Sequence, residues 1–126
     1  MNQENKRKVH FRFQDLEIWQ IAFRIANELF DIADMLESKK LYRFAEQLRG
    51  AGLSMTNNIS EGSGSFSDKE FQLFLNYSRR SVFECANVVL TLFYRKHIEE
   101  YVQDHLLEEL DHLSRKIVNF GKTLKK

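Results

Sequence analysis

The fold is decided by residues 47–64, which read QLRGAGLSMTNNISEGSG. An apolar stripe at helical spacing runs through this stretch, formed by Leu48, Met55 and Ile59. One face of a helix should therefore pack into a core. Gly50 and Gly52 would each cost about 1 kcal/mol relative to alanine inside that helix. We predict that a second helix approaches closely at both glycines.

A polar strip follows the flank of the same helix and contains Gln47, Ser54, Asn58 and Glu61. Burying such side chains is costly unless they hydrogen-bond to one another. Antiparallel packing of the next helix would bring Gln47 close to Ser81 and Glu84. We predict polar pairing between the two helices by Gln47, Ser54, Ser81 and Glu84. A site for a ligand or RNA, built from the same side chains, remains the alternative.

Composition favours an all-α protein of one domain. The 126 residues include no proline, and four of the five glycines lie in residues 50–64, so few positions interrupt a helix. The hydrophobic fraction of 43% is enough to build a core without disulfides or metals. The single cysteine, Cys85, excludes an internal disulfide and suits a reducing compartment, so we expect a cytoplasmic protein. The sequence lacks the continuous apolar segment of a signal peptide or membrane span, so we predict neither, and no membrane partner.

The charges are unevenly distributed although the net charge is only +1. Residues 1–13 carry four basic and one acidic side chain, residues 14–40 three basic and six acidic, and residues 67–96 five basic and three acidic. We predict a flexible basic tail at residues 1–13 and a bundle domain at residues 14–126. No block is basic enough to indicate nucleic-acid binding by itself.

Apolar periodicity predicts four helices. The first begins near Gln14, the second spans residues 41–61, the third follows Ser67, and the fourth follows a turn at residues 96–100. Ser67 is a suitable N-cap, with Glu70 placed to complete a capping box. The short connectors force antiparallel neighbours, which predicts an antiparallel up-down-up-down four-helix bundle.

The first helix is apolar over more than one face. Its two stripes are Leu16, Trp19, Phe23, Ala26, Phe30 and Ala33, and Ile18, Ile21, Ile25, Leu29, Ile32 and Leu36. The third helix is widened by Phe83, Leu90 and Phe93. A protein of this size cannot bury all of that surface within one chain, so we predict a homo-oligomer.

The central stretch also resembles a known family. The resemblance rests on Gln47-Leu48-Arg49, Ala51, Ser54, Asn58-Ile59, Glu61-Gly62, Glu70-Phe71, Phe74-Leu75, Ser81 and Glu84. Leu16 and Trp19 fit the opening of the same pattern, which covers residues 13–98. On these residues the chain resembles the bacterial four-helix bundle family of large-subunit ribosomal RNA intervening-sequence proteins, often labelled as a ribosomal protein.

That resemblance implies homopentameric rings of antiparallel bundles. A related branch includes the accessory protein of diversity-generating retroelements, which binds nucleic acid and a reverse transcriptase. Two positions depart from the family pattern, with Gly50 in place of a second arginine and Thr56 in place of a proline. This chain therefore offers fewer basic side chains to a phosphate backbone than the family pattern does. The resemblance indicates a nucleic-acid role less strongly for this chain than for the related branch.

No catalytic, cofactor or metal site is predicted. Glu109 and His112 form a single E-x-x-H, whereas a di-iron bundle needs two copies and further carboxylates. Ser54 and Ser81 have no histidine at an activating spacing, and Cys85 lies on a core stripe. We therefore expect a protein that is not an enzyme.

Two functions remain open at this point. The first is a homo-oligomeric interaction module that presents its basic tail and Arg49, Arg79 and Arg80 to RNA or to a protein partner. Asn58 and Glu61 would recognise the partner in that case, although we expect Glu61 to tie the turn into the third helix instead. The second is a purely structural, scaffolding oligomer with no nucleic-acid role.

Overall fold

The protein folds into four α-helices preceded by one turn of 3-10 helix, in a computed structural model that describes residues 8–125. The 3-10 turn spans Arg12–Asp15, and the α-helices are α1 (Glu17–Ser38), α2 (Tyr42–Ser63), α3 (Asp68–Tyr94) and α4 (Glu100–Gly121). Those described residues contain no strand. The predicted all-α four-helix bundle is confirmed.

Neighbouring helices pair in opposite directions. Ser78 of α3 bonds to Met55 of α2, and Glu84 bonds to Gln47, so the numbers fall along α2 as they rise along α3. The same opposite register relates α1 to α4 through Glu17–Lys116, Arg24–Glu109 and Glu28–His105. The pairs α2–α3 and α1–α4 are therefore antiparallel, as expected for an up-down-up-down order.

The core runs along the bundle axis and takes a stripe from each helix. Four leucines that are completely buried, one from each helix, are Leu29, Leu48, Leu92 and Leu113. Burial of each contributes about 1.5–3 kcal/mol. Of the two stripes of α1, the second supplies most of the core, whereas the first supplies mainly Ala26 and Ala33. The aromatic residues of the first stripe, Trp19, Phe23 and Phe30, are exposed or only partly buried.

The glycines of α2 behave differently from one another. A Cβ added at Gly52 would lie 3.4 Å from Phe30 Cε1 and 3.8 Å from Ala26 Cα, so the predicted close approach of another helix is confirmed there. A Cβ at Gly50 would meet nothing within 4 Å, so within this chain the prediction for Gly50 is wrong. The tightest position is Gly62, where a Cβ would lie 2.8 Å from Phe74 Cβ. This helix continues to Ser63, past the predicted end at residue 61.

The remaining boundaries match the sequence pattern closely. Ser67 caps α3, since its Oγ accepts a hydrogen bond of 3.1 Å from the Glu70 N–H. Lys40 and Lys96 follow α1 and α3 in the left-handed conformation, with φ of 64° and 66°. Glycine usually takes this position, so the sequence carried no signal for either turn.

The packed structure begins slightly earlier than predicted. Arg12 donates a 2.6 Å hydrogen bond to the Ser63 carbonyl at the end of α2, and its guanidinium lies 5.8 Å from the centre of the Phe71 ring. Arg12 had been assigned to the basic tail, yet it joins the 3-10 turn to the bundle. Residues 1–7 of that tail lie outside the described residues.

Candidate interaction surfaces

A polar groove lies between α2 and α3, where the sequence placed its polar pairs. It is lined by Ser54, Asn58, Tyr77, Arg80, Ser81 and Glu84. The groove forms because the polar strip of α2 repeats every three or four residues and meets a matching strip on α3. Two of its six side chains belong to α2 and four to α3.

Hydrogen bonds inside the polar groove join the two helices directly. Ser81 Oγ donates to Ser54 Oγ at 2.8 Å, and Asn58 Nδ2 donates to the same Ser54 Oγ at 3.0 Å. One turn further along, Gln47 Nε2 donates to Glu84 Oε2 at 3.3 Å. Across residues 8–125, every buried side-chain nitrogen and oxygen has a hydrogen-bond partner. Ser54, Asn58 and Ser81 therefore satisfy one another, which removes the cost of placing them between helices.

Within the part of the chain that the structure describes, Arg80 is the one cation that lines the polar groove. Its side chain is exposed and makes no hydrogen bond or ion pair with residues 8–125. Glu84, on the same rim, accepts the bond from Gln47. The arginine is therefore available to an anionic group outside the bundle.

Arg49 lies on a different side of the molecule, between α1 and α2. Its guanidinium is 2.7 Å from both Asp34 Oδ1 and Glu37 Oε1. Hydrogen bonds to Asp34 and then to Glu37 raise the pKa of Arg49 above its ordinary value. Arg49 thus joins two helices of its own chain and does not present a free cation.

Arg79 lies on a third side, between α3 and α4. Its Nε donates to Ser114 Oγ at 3.2 Å, and its guanidinium stacks 4.9 Å from the centre of the Phe83 ring. Such a cation–π contact stabilises the position of the arginine over the aromatic face. Consequently Arg49, Arg79 and Arg80 are spread over three sides of the bundle and do not form one basic surface.

Asn58 and Glu61 have separate environments. Asn58 is held in the polar groove by its bonds to the Ser54 carbonyl and hydroxyl. Glu61 is exposed, and its carboxylate makes no hydrogen bond or ion pair within the described chain. The nearby Ser67 hydroxyl accepts a hydrogen bond from the Glu70 N–H and makes none with Glu61. The expectation that Glu61 ties the turn is therefore wrong for the residues described.

The residues considered for chemistry have structural partners. Glu109 accepts a hydrogen bond from Arg24 of α1, which lowers the pKa of the carboxyl. His112 is exposed. Between residues 8 and 125, no group of three or more histidine, cysteine, aspartate and glutamate side chains is placed to hold a metal ion. Cys85 is buried, and burial raises the pKa of its thiol to about 12, so it remains protonated.

An aromatic ladder crosses the surface at the start of α1. Its ring centres are 5.7 Å apart for Phe11 and Phe13, 5.1 Å for Phe13 and Trp19, and 4.6 Å for Trp19 and Phe23. We call these four residues, Phe11, Phe13, Trp19 and Phe23, the aromatic face.

An apolar groove opens on another side, between α3 and α4. It is lined by Val82, Phe83, Ala86, Leu107 and Leu110, with Asp111 and Ser114 on its edge. Arg79 covers one ring face of Phe83, and exposed Leu90 extends the apolar surface along α3. The sequence pattern singled out Phe83 and Leu90 but did not indicate a groove, because the groove depends on how α4 packs against α3.

This combination of elements defines a helical bundle protein with a hydrogen-bonded polar groove and with exposed apolar surfaces, among them the aromatic face and the apolar groove. A family model described as 23S rRNA-intervening sequence protein matches residues 14–119. The chain belongs to that family. No curated protein matches the chain. Among the described residues, none of the helices has the length and apolar character needed to cross a membrane.

Proposed function

We propose that the protein is a non-enzymatic, homo-oligomeric bundle of the cytoplasm that acts as a protein-interaction module, with further copies of itself as its first partner. The observation that carries this proposal is the apolar surface left uncovered on two sides of the bundle. Phe23 and Phe83 are 50% and 58% exposed, although phenylalanine is usually among the most buried residues of a folded protein. Contiguous apolar patches exposed on a protein surface mark sites of interaction with other proteins.

The family resemblance implies that five copies assemble. Light scattering coupled to size exclusion tests the assembly, since one chain has a mass of 15.0 kDa and an oligomer gives a multiple of it. We expect a single species larger than a monomer at micromolar concentration. A monomer under those conditions would contradict the proposal.

RNA is the second candidate partner, and Arg80 is the residue that favours it. The arginine is exposed and unpaired within residues 8–125, but Arg49 and Arg79 are engaged inside the chain and lie on other sides. A protein that neutralises several phosphates loses affinity steeply as salt rises. Of the three arginines that the sequence pattern singled out, Arg80 alone is free among the described residues, and one arginine is too few to expect such behaviour from that set.

A filter-binding titration with a structured RNA at two salt concentrations separates the two candidates. We expect weak binding, with no large difference between wild type and Arg80→Gln. Tight binding that falls steeply with salt and is weakened by Arg80→Gln would favour the RNA hypothesis. Light scattering on the same samples keeps the test of assembly independent of RNA.

A further inference from the structure

We propose that the protein binds a small organic acid in a pocket between α3 and α4, where Arg79 and Lys122 receive the carboxylate and an aliphatic floor receives the apolar body. We call this site the anion pocket. It is formed by residues 72–79 of α3 and residues 117–122 at the end of α4, and it shares no lining residue with the apolar groove. The inference does not depend on the homo-oligomeric function proposed above, because every residue that it uses belongs to one chain.

The floor of the anion pocket is aliphatic. Leu75 and Ile117 are buried in the core, and exposed Val118 widens the surface that they form. The pocket encloses about 280 Å³. Apolar cavities of about 150 Å³ already hold a benzene ring in other proteins. The anion pocket therefore has room for an aromatic or branched aliphatic body together with a carboxylate.

The two cations of the anion pocket have no carboxylate partner. Among the described residues, no acidic side chain lines the pocket, and neither Arg79 nor Lys122 forms an ion pair. A lysine at a helix C-terminus is favourable by itself, because the helix dipole attracts a positive charge there. That reason does not apply to Arg79, which lies well inside α3. A bound carboxylate would relieve the repulsion between the two positive charges.

Arg79 is already held in position for such a ligand. Its Nε donates to Ser114 Oγ at 3.2 Å, and its guanidinium lies 4.9 Å from the centre of the Phe83 ring. Within residues 8–125, its two terminal amino groups have no hydrogen-bond partner. Those groups can donate to the two oxygens of a carboxylate. An arginine that is positioned beforehand loses less conformational entropy on binding.

The polar rim of the anion pocket is also formed in advance. Gln72 Nε2 donates to the Gly121 carbonyl at 3.2 Å, and the Lys125 N–H donates to Asp68 Oδ2 at 3.0 Å. Both bonds join the end of α4 to α3. Asn76 is exposed and its amide has no partner among the described residues, so it can donate to the ligand as well.

Gly121 keeps the anion pocket open at the end of α4. Its φ is not positive, so its backbone conformation does not require glycine. A Cβ there would lie 3.7 Å from Leu75 Cδ1, and a larger side chain would therefore extend over the floor of the pocket. Glycine is a poor helix former. The consequence of having it at this position is space for a ligand.

Three probes separate the charge of the ligand from its apolar body. Phenylacetate has a carboxylate and a ring, phenylacetamide has the same ring without the charge, and acetate has the charge without the ring. Ligand-observed NMR on the full chain at pH 7 measures binding for an assembly of any size. We expect phenylacetate to bind with a Kd of about 1 mM or lower. Phenylacetamide and acetate should each bind at least about tenfold more weakly.

Substitutions test the location of the site. Lys122→Gln removes one of the two charges from an exposed side chain and should weaken phenylacetate binding about two- to fivefold. Gly121→Leu fills the space beside Leu75 and should abolish binding. Two matched controls should bind as wild type does. Arg80→Gln makes the same change of charge in the polar groove, and Gly50→Leu adds the same side chain where a Cβ meets nothing within 4 Å.

Other outcomes overturn the inference. If phenylacetamide binds as tightly as phenylacetate, the pocket has no selectivity for an anion. If inorganic phosphate binds more tightly than phenylacetate, the site serves phosphate and not an organic acid. If the control variants weaken binding as much as the pocket variants do, the acid binds elsewhere. Circular dichroism establishes that each variant is folded, and Lys122→Gln decides the location if Gly121→Leu is not.

Discussion

At the scale of single residues, Gly62 is the glycine with the least space around it. A Cβ there would lie 2.8 Å from both Phe71 Cδ1 and Phe74 Cβ, and the second of these atoms is fixed by the backbone of α3. We therefore expect Gly62→Ala to lower the free energy of unfolding by about 1–3 kcal/mol, because the helices must separate to admit the methyl group. Urea denaturation measures the change.

Gly50→Ala is the control for that substitution, since a Cβ at Gly50 meets nothing within 4 Å. Alanine is the better helix former by about 1 kcal/mol, so this variant should be more stable than wild type. If both substitutions stabilise the protein equally, α2 and α3 are not in close contact at Gly62.

Glu61 supplies a second prediction at this scale. Its carboxylate is exposed near the C-terminus of α2 and bonds to no other described residue. The helix dipole disfavours a negative charge there, so Glu61→Gln should leave the melting temperature unchanged or raise it slightly. A loss of about 1–3 kcal/mol, the size expected for a broken charge-assisted bond, would restore the role in the turn that the sequence suggested.

At the scale of secondary-structure elements, α4 is held to α1 by ion pairs across the surface. Arg24 bonds to Glu109, which lowers the pKa of that carboxyl below its ordinary 4.5. A lowered carboxyl pKa stabilises the fold above the unfolded value, and that stability is lost as the pH falls through the folded value.

Replacing Glu109 by glutamine tests this contribution. Arg24 is 55% exposed, so solvent screens the pair and the variant should lose about 0.2–1 kcal/mol at pH 7. The difference from wild type should shrink below pH 4.5 and in 1 M salt. Denaturation curves at pH 7 and pH 3 measure it, and a difference that persists at pH 3 would point to packing by the side chain.

The helices themselves were largely predictable from sequence. Periodicity predicted all four, and Ser67 caps α3 as predicted, although among the described residues the Glu70 side chain makes no return bond to complete the capping box. Properties that depend on a neighbouring helix were less predictable. Gly50 and Gly52 are nearly adjacent in sequence, yet only Gly52 points at α1, because two residues along a helix turn the side chain by about 200°. A glycine by itself does not reveal which side it faces.

The aromatic ladder and the basic residues show the same limit. Phe11 and Phe13 precede α1, so no helical period connects them with Trp19, and their stacking depends on the 3-10 turn at Arg12–Asp15. Arg79 and Arg80, by contrast, could have been separated from sequence alone. Consecutive residues on a helix point about 100° apart, which already argues against a shared basic surface.

At the scale of the whole molecule, assembly and stability should be linked. Folded chains would associate with one another and unfolded chains would not. Association would therefore stabilise the folded state by mass action. We expect the melting temperature of wild type to rise with protein concentration over the micromolar range. We expect burial of the apolar groove and the aromatic face to supply that stabilisation.

The same melts on Phe83→Glu give the matched comparison. This substitution lies on an exposed side chain of α3, so the monomer should remain folded, and glutamate is an acceptable helix residue. Its melting temperature should be independent of concentration and close to the value that wild type approaches on dilution. If wild type also melts at one temperature from low to high concentration, no folded-state association contributes to its stability. The exposed rings of Phe23 and Phe83 would then have to be covered by a different protein.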